Sequence, residues 1–328
     1  MRSFTYLRVD QIDAAINGSS APGSKYLAGG TNLLDLMKGY VEQPERIVDI
    51  NRLPLAQVLE LPDGGVRIGA LVRNSDAANH PLIRERYPLL SQAFLAGASP
   101  QLRNMASVGG NLMQRTRCFY FYDTAFAACN KRVPGTGCAA REGFNRIHAI
   151  FGASERCVAT HPSDMAVALA ALDAVVEVRG PTGTRRIPIG EFHRLPGTTP
   201  ERDTNLQPRE LIIAVDLPRS RFAAHSHYLK IRDRASYAFA LVSVAAALDQ
   251  PGGSVRDVRI VLGGVAHKPW RVDKAEREIV GRRLNEASIS AAARASVEAA
   301  QPLRDNAFKV ELARRAVAQA LRNAGGIT

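Results

Sequence analysis

The chain has no run of about 18 or more apolar residues, so no segment is suited to cross a membrane as a helix. Its first ten residues, Met1 to Asp10, lack an apolar h-region. That excludes a secretory signal there and predicts synthesis in the cytoplasm, with no export address of the chain's own. A G-x-G-x-x-G dinucleotide fingerprint is missing, as are internal repeats and low-complexity tracts. No Ser-His-Asp arrangement or catalytic carboxylate pair stands out, so nothing points to hydrolysis. Cysteine is scarce: there are four in 328 residues, and none lies outside positions 118–157.

What is present suits a globular protein with a substantial core. The 46% hydrophobic and 23% charged content is ordinary, and the length allows two or three domains. Lys and Arg exceed Asp and Glu by 43 to 31, a formal charge of +12. The excess is spread along the chain and not gathered in one tail. It therefore reads as solvated surface and carries little weight in choosing a function.

Two glycine turns carry more information. Lys25-Tyr26-Leu27-Ala28 reads as a strand, followed at once by Gly29-Gly30-Thr31-Asn32 and a helix through Leu33, Leu34, Leu36 and Met37. Glycine lets a backbone approach a phosphate closely, and backbone N–H groups at a helix start favour an anion. The second turn, Ser107-Val108-Gly109-Gly110-Asn111, is of the same kind. Either alone is a tight turn; the pair predicts a grip on two sides of one diphosphate.

The cysteines follow the pattern Cys118-x10-Cys129-x8-Cys138-x18-Cys157. Disulfides are disfavoured in a chain without a secretion signal. Tetrahedral zinc prefers ligand pairs about two to four apart, and none of these gaps is that short. A [4Fe–4S] cluster takes four thiolates and tolerates irregular spacing, which favours it without closing the other readings. Arginine and lysine outnumber acids in this stretch, and Pro134-Gly135-Thr136-Gly137 makes a sharp turn before Cys138. Phe119-Tyr120-Phe121-Tyr122 reads as a solvent shield or a buried strand, and His148 and His161 as polar contacts.

Beyond the cysteines, Ser163 is placed to cap a helix that opens with Asp164. A β-hairpin is expected over residues 174–189, a strand over 210–218, and a boundary near 219–226. The remainder should carry three antiparallel strands (226–231, 238–248, 255–265) and helices over 273–284, 288–300 and 307–324. Lys230 lies in an otherwise apolar strand with Arg232 on the same face. It is either an edge ion pair or a cation directed at a cofactor.

Taken together these motifs resemble the FAD-binding subunit of the xanthine dehydrogenase and molybdenum hydroxylase family. They are Ala28-Gly29-Gly30-Thr31-Asn32-Leu33, Leu102 to Leu112 around Gly109-Gly110, and Ser163-Asp164 before an Ala/Leu helix. The segments around Gln114 to Cys118, Cys129 to Arg132, Pro134 to Cys138 and Cys157 to Asp164 look like the aldehyde oxidoreductase subtype, in which four cysteines hold a [4Fe–4S] cluster. The resemblance implies an α+β chain. A PCMH-type FAD-binding domain would cover 1–222, with subdomains of about 1–55 and 56–222 and an iron–sulfur insert of about 113–161. A C-terminal α+β domain with a three-stranded antiparallel sheet would cover 223–328.

The same resemblance implies that Leu27, Ala28, Gly29, Gly30, Thr31, Asn32, Leu33, Ser107, Gly109, Gly110 and Asn111 hold the FAD pyrophosphate. Asp164 and Lys230 match flavin contacts, Ile212 an apolar cover, and Cys118, Cys129, Cys138 and Cys157 the cluster ligands. Asn32 stands where Asp is usual, a change expected to keep an N-cap acceptor. The implied role is electron transfer within a heterotrimer: a large subunit with the molybdenum cofactor, a small subunit with [2Fe–2S] clusters, and this chain passing electrons through FAD to an external acceptor. Export on a partner subunit's signal leaves the periplasm open. Two readings from other classes stand beside it: a zinc-stabilised basic module for nucleic acid, and a stand-alone FAD-dependent oxidase.

Overall fold

A computed structural model describes residues 1–327. Its strands fall into three sheets. The first is parallel, with β1 (Thr5–Arg8), β2 (Ser24–Leu27) and β3 (Arg46–Asp49) in the order β1-β3-β2. The second is antiparallel: β4 (Val58–Glu60), β5 (Val66–Gly69), β6 (Val175–Gly180), β7 (Gly183–Pro188) and β8 (Leu211–Leu217) run in the order β4-β5-β8-β6-β7. The third holds β9 (Ser226–Ile231), β10 (Val242–Asp249), β11 (Asp257–Gly263) and β12 (Trp270–Arg271), in the order β12-β11-β10-β9.

The C-terminal sheet thus has four antiparallel strands where three were expected. The extra one is two residues long, too short to leave a period-2 pattern. The Phe119–Tyr122 run, expected as a shield or a buried strand, is one helical turn that buries Phe121. The helix expected over 273–284 stops at Arg277. Among the described residues, no helix is long and apolar enough to cross a membrane.

Two elements set the geometry. The helix Asp164–Ala171 is buried at every residue. Its Ala-rich sequence lets it pack close between the second and third sheets, where it touches β10, β11 and the helix Pro88–Ala96. The cysteine-bearing insert is stitched in at its far end. Ile150 and Phe151 both donate backbone N–H groups to Val265 O, Gln301 N donates to Ile150 O, and Phe151 stacks on Trp270 with ring centroids 5.2 Å apart. Its tail therefore belongs to the C-terminal core.

Candidate functional site

The two glycine turns meet. An added Cβ on Gly29 would lie 1.9 Å from Met105 O, so only glycine allows the first turn to lie against the segment leading into the second. Gly30 takes φ +74°, the left-handed region. The second expected turn is instead a short helix, Val108–Leu112, capped by Ser107: Ser107 Oγ accepts from Gly110 N at 3.3 Å, and a Cβ on Gly109 would press on Ala70 at 3.1 Å.

Polar side chains tie the turns to the buried helix and to the insert. Asn111 Oδ1 accepts from Ser163 Oγ at 2.7 Å, while Ser163 Oγ accepts from Ala166 N at 2.9 Å and caps the buried helix. Asn32 does not cap its own helix. Its Oδ1 accepts from Arg115 N at 2.9 Å and its Nδ2 donates to Tyr122 Oη at 2.9 Å, so the amide serves the insert. This corrects the N-cap expectation. A carboxylate there would have no N–H to give the tyrosine.

A cavity of about 740 Å³ opens between the three sheet units. Thr31 and Asn32 from the first turn line it, with Gly110 and Asn111 from the second, and Asp164 at the start of the buried helix. Leu27, Ala28, Gly29, Gly30, Leu33, Ser107 and Gly109 shape the turns behind that wall and do not line it. Neither does Lys230: its Nζ donates to Asp164 Oδ2 at 2.8 Å and to Ala96 O at 3.0 Å. Tyr228 Oη donates to the other Asp164 oxygen at 2.7 Å, so the carboxylate is held from behind on both oxygens. Ile212 sits in β8 opposite Val178, within the hydrophobic core and outside the lining.

Several lining residues escaped the sequence reading: Asn74, Arg103, Arg117, Ser243 and Gly264. One signal was available. Gly263-Gly264 is a further glycine pair at a strand end; Gly264 has φ +70°, and a Cβ on it would lie 2.8 Å from Ala240 O. His161 also lines the cavity, with its Nε2 buried and unpartnered by protein atoms. Burial, then the charge of His193, whose ring lies tilted with its centroid 4.0 Å away, lowers its pKa well below the usual histidine value, so the ring is neutral.

A second, small cavity of about 10 Å³ is lined by all four cysteines, together with Thr116, Lys131 and Arg156 among others. Cys129 and Cys138 face each other across an isolated antiparallel bridge. All four thiols are free. Cys138 and Cys157 share one proton's worth of interaction, which pulls the Cys138 thiol down, and the same interaction together with burial pushes Cys157 up. His148 Nε2 lies 3.1 Å from Cys118 Sγ, and His267 Nε2 lies 3.3 Å from Cys157 Sγ. Among the described residues, no group of three or more His, Cys, Asp or Glu is arranged to hold a single metal ion. The segment from Cys157 to Asp164 runs from the small cavity to the large one.

The FAD binding domain in molybdopterin dehydrogenase matches residues 2–220, and the CO dehydrogenase flavoprotein C-terminal domain matches residues 227–324. The chain is 53% identical over 330 aligned positions to the aldehyde oxidoreductase FAD-binding subunit PaoB of Escherichia coli K12, covering 99% of each. It is 28% identical to the glyceraldehyde dehydrogenase medium chain of Sulfolobus acidocaldarius, covering 86% of this chain and 83% of that one. Among solved structures it is similar to carbon monoxide dehydrogenase from Hydrogenophaga pseudoflava, at a TM-score of 0.77 and 27% identity, covering 99% of this chain and 98% of that one.

Proposed function

Because the chain belongs to the FAD-binding subunits of the molybdenum hydroxylase family, we propose that it is the FAD- and [4Fe–4S]-containing electron-transfer subunit of a molybdenum-dependent aldehyde oxidoreductase. Substrate oxidation would take place on a large partner subunit bearing the molybdenum cofactor, with [2Fe–2S] clusters on a small one. Electrons would pass through FAD on this chain to an external acceptor. The aldehyde class follows from the similarity to the E. coli subunit. Family matches over residues 2–220 and 227–324 favour this reading over a nucleic-acid module.

The observation that carries this reading is the pair of neighbouring cavities, one framed by both glycine turns and the other by four cysteines, joined by residues 157–164. Bound FAD supplies the redox chemistry. The chain's own part is positional. The first glycine turn would present backbone N–H groups to the diphosphate. The second segment spends those of Val108 to Asn111 on Val72, Ala70 and Ser107 and lines the cavity through Gly110 and Asn111. The helix start at Asp164, fixed by Tyr228 and Lys230, presents a carboxylate to the cavity.

Four cysteines suit a [4Fe–4S] cluster as a donor set, and gaps longer than the paired spacing zinc prefers favour it over zinc.

The test is anaerobic purification with the partner subunits. Flavin absorbance and about four irons per chain are expected. Cys129→Ser or Cys138→Ser should remove the iron and leave the flavin. Protein with flavin but with zinc or no metal would overturn the cluster, and protein without flavin would overturn the whole reading.

A further inference from the structure

The C-terminal helix Phe308–Gly325 carries Lys309 in its first turn, and this side chain is fully buried. Its Nζ donates to three backbone carbonyls: Gly264 O at 2.6 Å, His148 O at 2.9 Å and Ile147 O at 3.4 Å. The other deeply buried lysines have carboxylate partners, Lys131 with Asp203 and Lys230 with Asp164. Lys309 has none. Burial lowers its pKa to about 7, Arg146 acts in the same direction, and no acid opposes them.

An interior ammonium without a counter-charge is costly, so Lys309 is only partly protonated at neutral pH, and an anion nearby would favour its charged form. The position of Lys309 indicates where that anion lies. Ile147 and Gly264, whose carbonyls it holds, both line the large cavity, so the ammonium sits directly behind that wall. The third carbonyl belongs to His148, whose ring touches Cys118 on the side of the small cavity.

We propose that Lys309 is an internal counter-charge for the flavin, a positioning residue that raises the reduction potential of the cofactor in the large cavity by favouring its electron-rich reduced state. Three carbonyl bonds fix the cation in place, so its field costs no reorganisation when electrons arrive. A merely structural role, pinning the helix to the insert, would need the hydrogen bonds and not the charge.

Potentiometric titration of the flavin-loaded protein separates the two, with wild type compared to Lys309→Gln, Lys309→Met and Lys309→Arg. The neutral variants should shift the flavin equilibrium about tenfold toward the oxidised form, a midpoint lowered by about 30 mV for a two-electron couple. That is the scale of a unit charge roughly 10 Å away at an effective dielectric of about 20. Lys309→Arg should keep the wild-type midpoint. Equal midpoints in all four proteins would overturn the proposal, as would an arginine variant that moves as far as the neutral ones. If Lys309→Met does not fold, Lys309→Gln, which keeps donors for two carbonyls, gives the reading. Neutral variants that fail to hold flavin at all would also overturn it, since the charge would then serve assembly. The flavin couple is read whether or not iron is present, so loss of the cluster assignment leaves this test intact.

Discussion

Single atoms at the two glycine turns decide whether the large cavity exists. Gly29→Ala places a methyl group where Met105 O already stands, and the obstacle is backbone that cannot rotate away. Forcing atoms into a filled site costs about 1–3 kcal/mol, occasionally more. Here it also separates the two halves of the anion grip. The expected outcome is folded but flavin-poor protein, checked by the ratio of flavin to protein absorbance. Tyr228 is subtler. Its hydroxyl donates to Asp164 Oδ1, and a hydrogen bond to a charged group contributes about 1.5–3 kcal/mol. Tyr228→Phe should leave the fold intact and weaken flavin binding, measured as a raised Kd, because Asp164 then keeps only its Lys230 tether.

Among the elements, the insert depends on an ionic clasp. Arg115 bridges Glu42 at 2.6 Å and Asp203 at 2.8 Å, and Lys131 also pairs with Asp203, so residues from the first sheet unit, the insert and the loop before β8 close on one another. Burial pushes the Asp203 carboxyl up, but Lys131 and Arg115 pull it well below the usual carboxylate range. A pKa lowered by folding gives stability that is present above the unfolded value of about 4 and is lost as pH falls below it. Thermal stability of the insert should therefore decline from about pH 4 downward, and Asp203→Asn should flatten that decline. At neutral pH the same substitution should cost somewhat less than the roughly 3–5 kcal/mol of a fully buried pair, since Asp203 keeps 29% of its side-chain surface. Thermal melts of wild type and variant across that pH range measure both effects.

For the whole molecule, the large cavity is the junction of all three sheet units, so its occupant acts as a keystone. A ligand at about one hundred times its Kd adds about 2.7 kcal/mol to the folded state. Removing flavin should thus lower Tm by several degrees, and adding FAD back should restore it in a concentration-dependent way, as differential scanning fluorimetry would record. Features with local causes could be read from the order of residues alone. The first glycine turn follows from backbone freedom, the Ser163 cap from a hydroxyl beside a helix start, the hairpin and C-terminal helices from hydrophobic period, and the cysteine grouping from mere adjacency, whereas the second glycine segment folded as a short helix. Which side chains meet across long stretches of chain came from the packing of distant elements. It gave Lys230 to Asp164 and left Ile212 in the core. It turned Asn32 from its own helix toward the insert and set Lys309 among carbonyls more than forty residues away. Such pairings rest on packing between elements remote in sequence, and no periodicity or motif spacing encodes them.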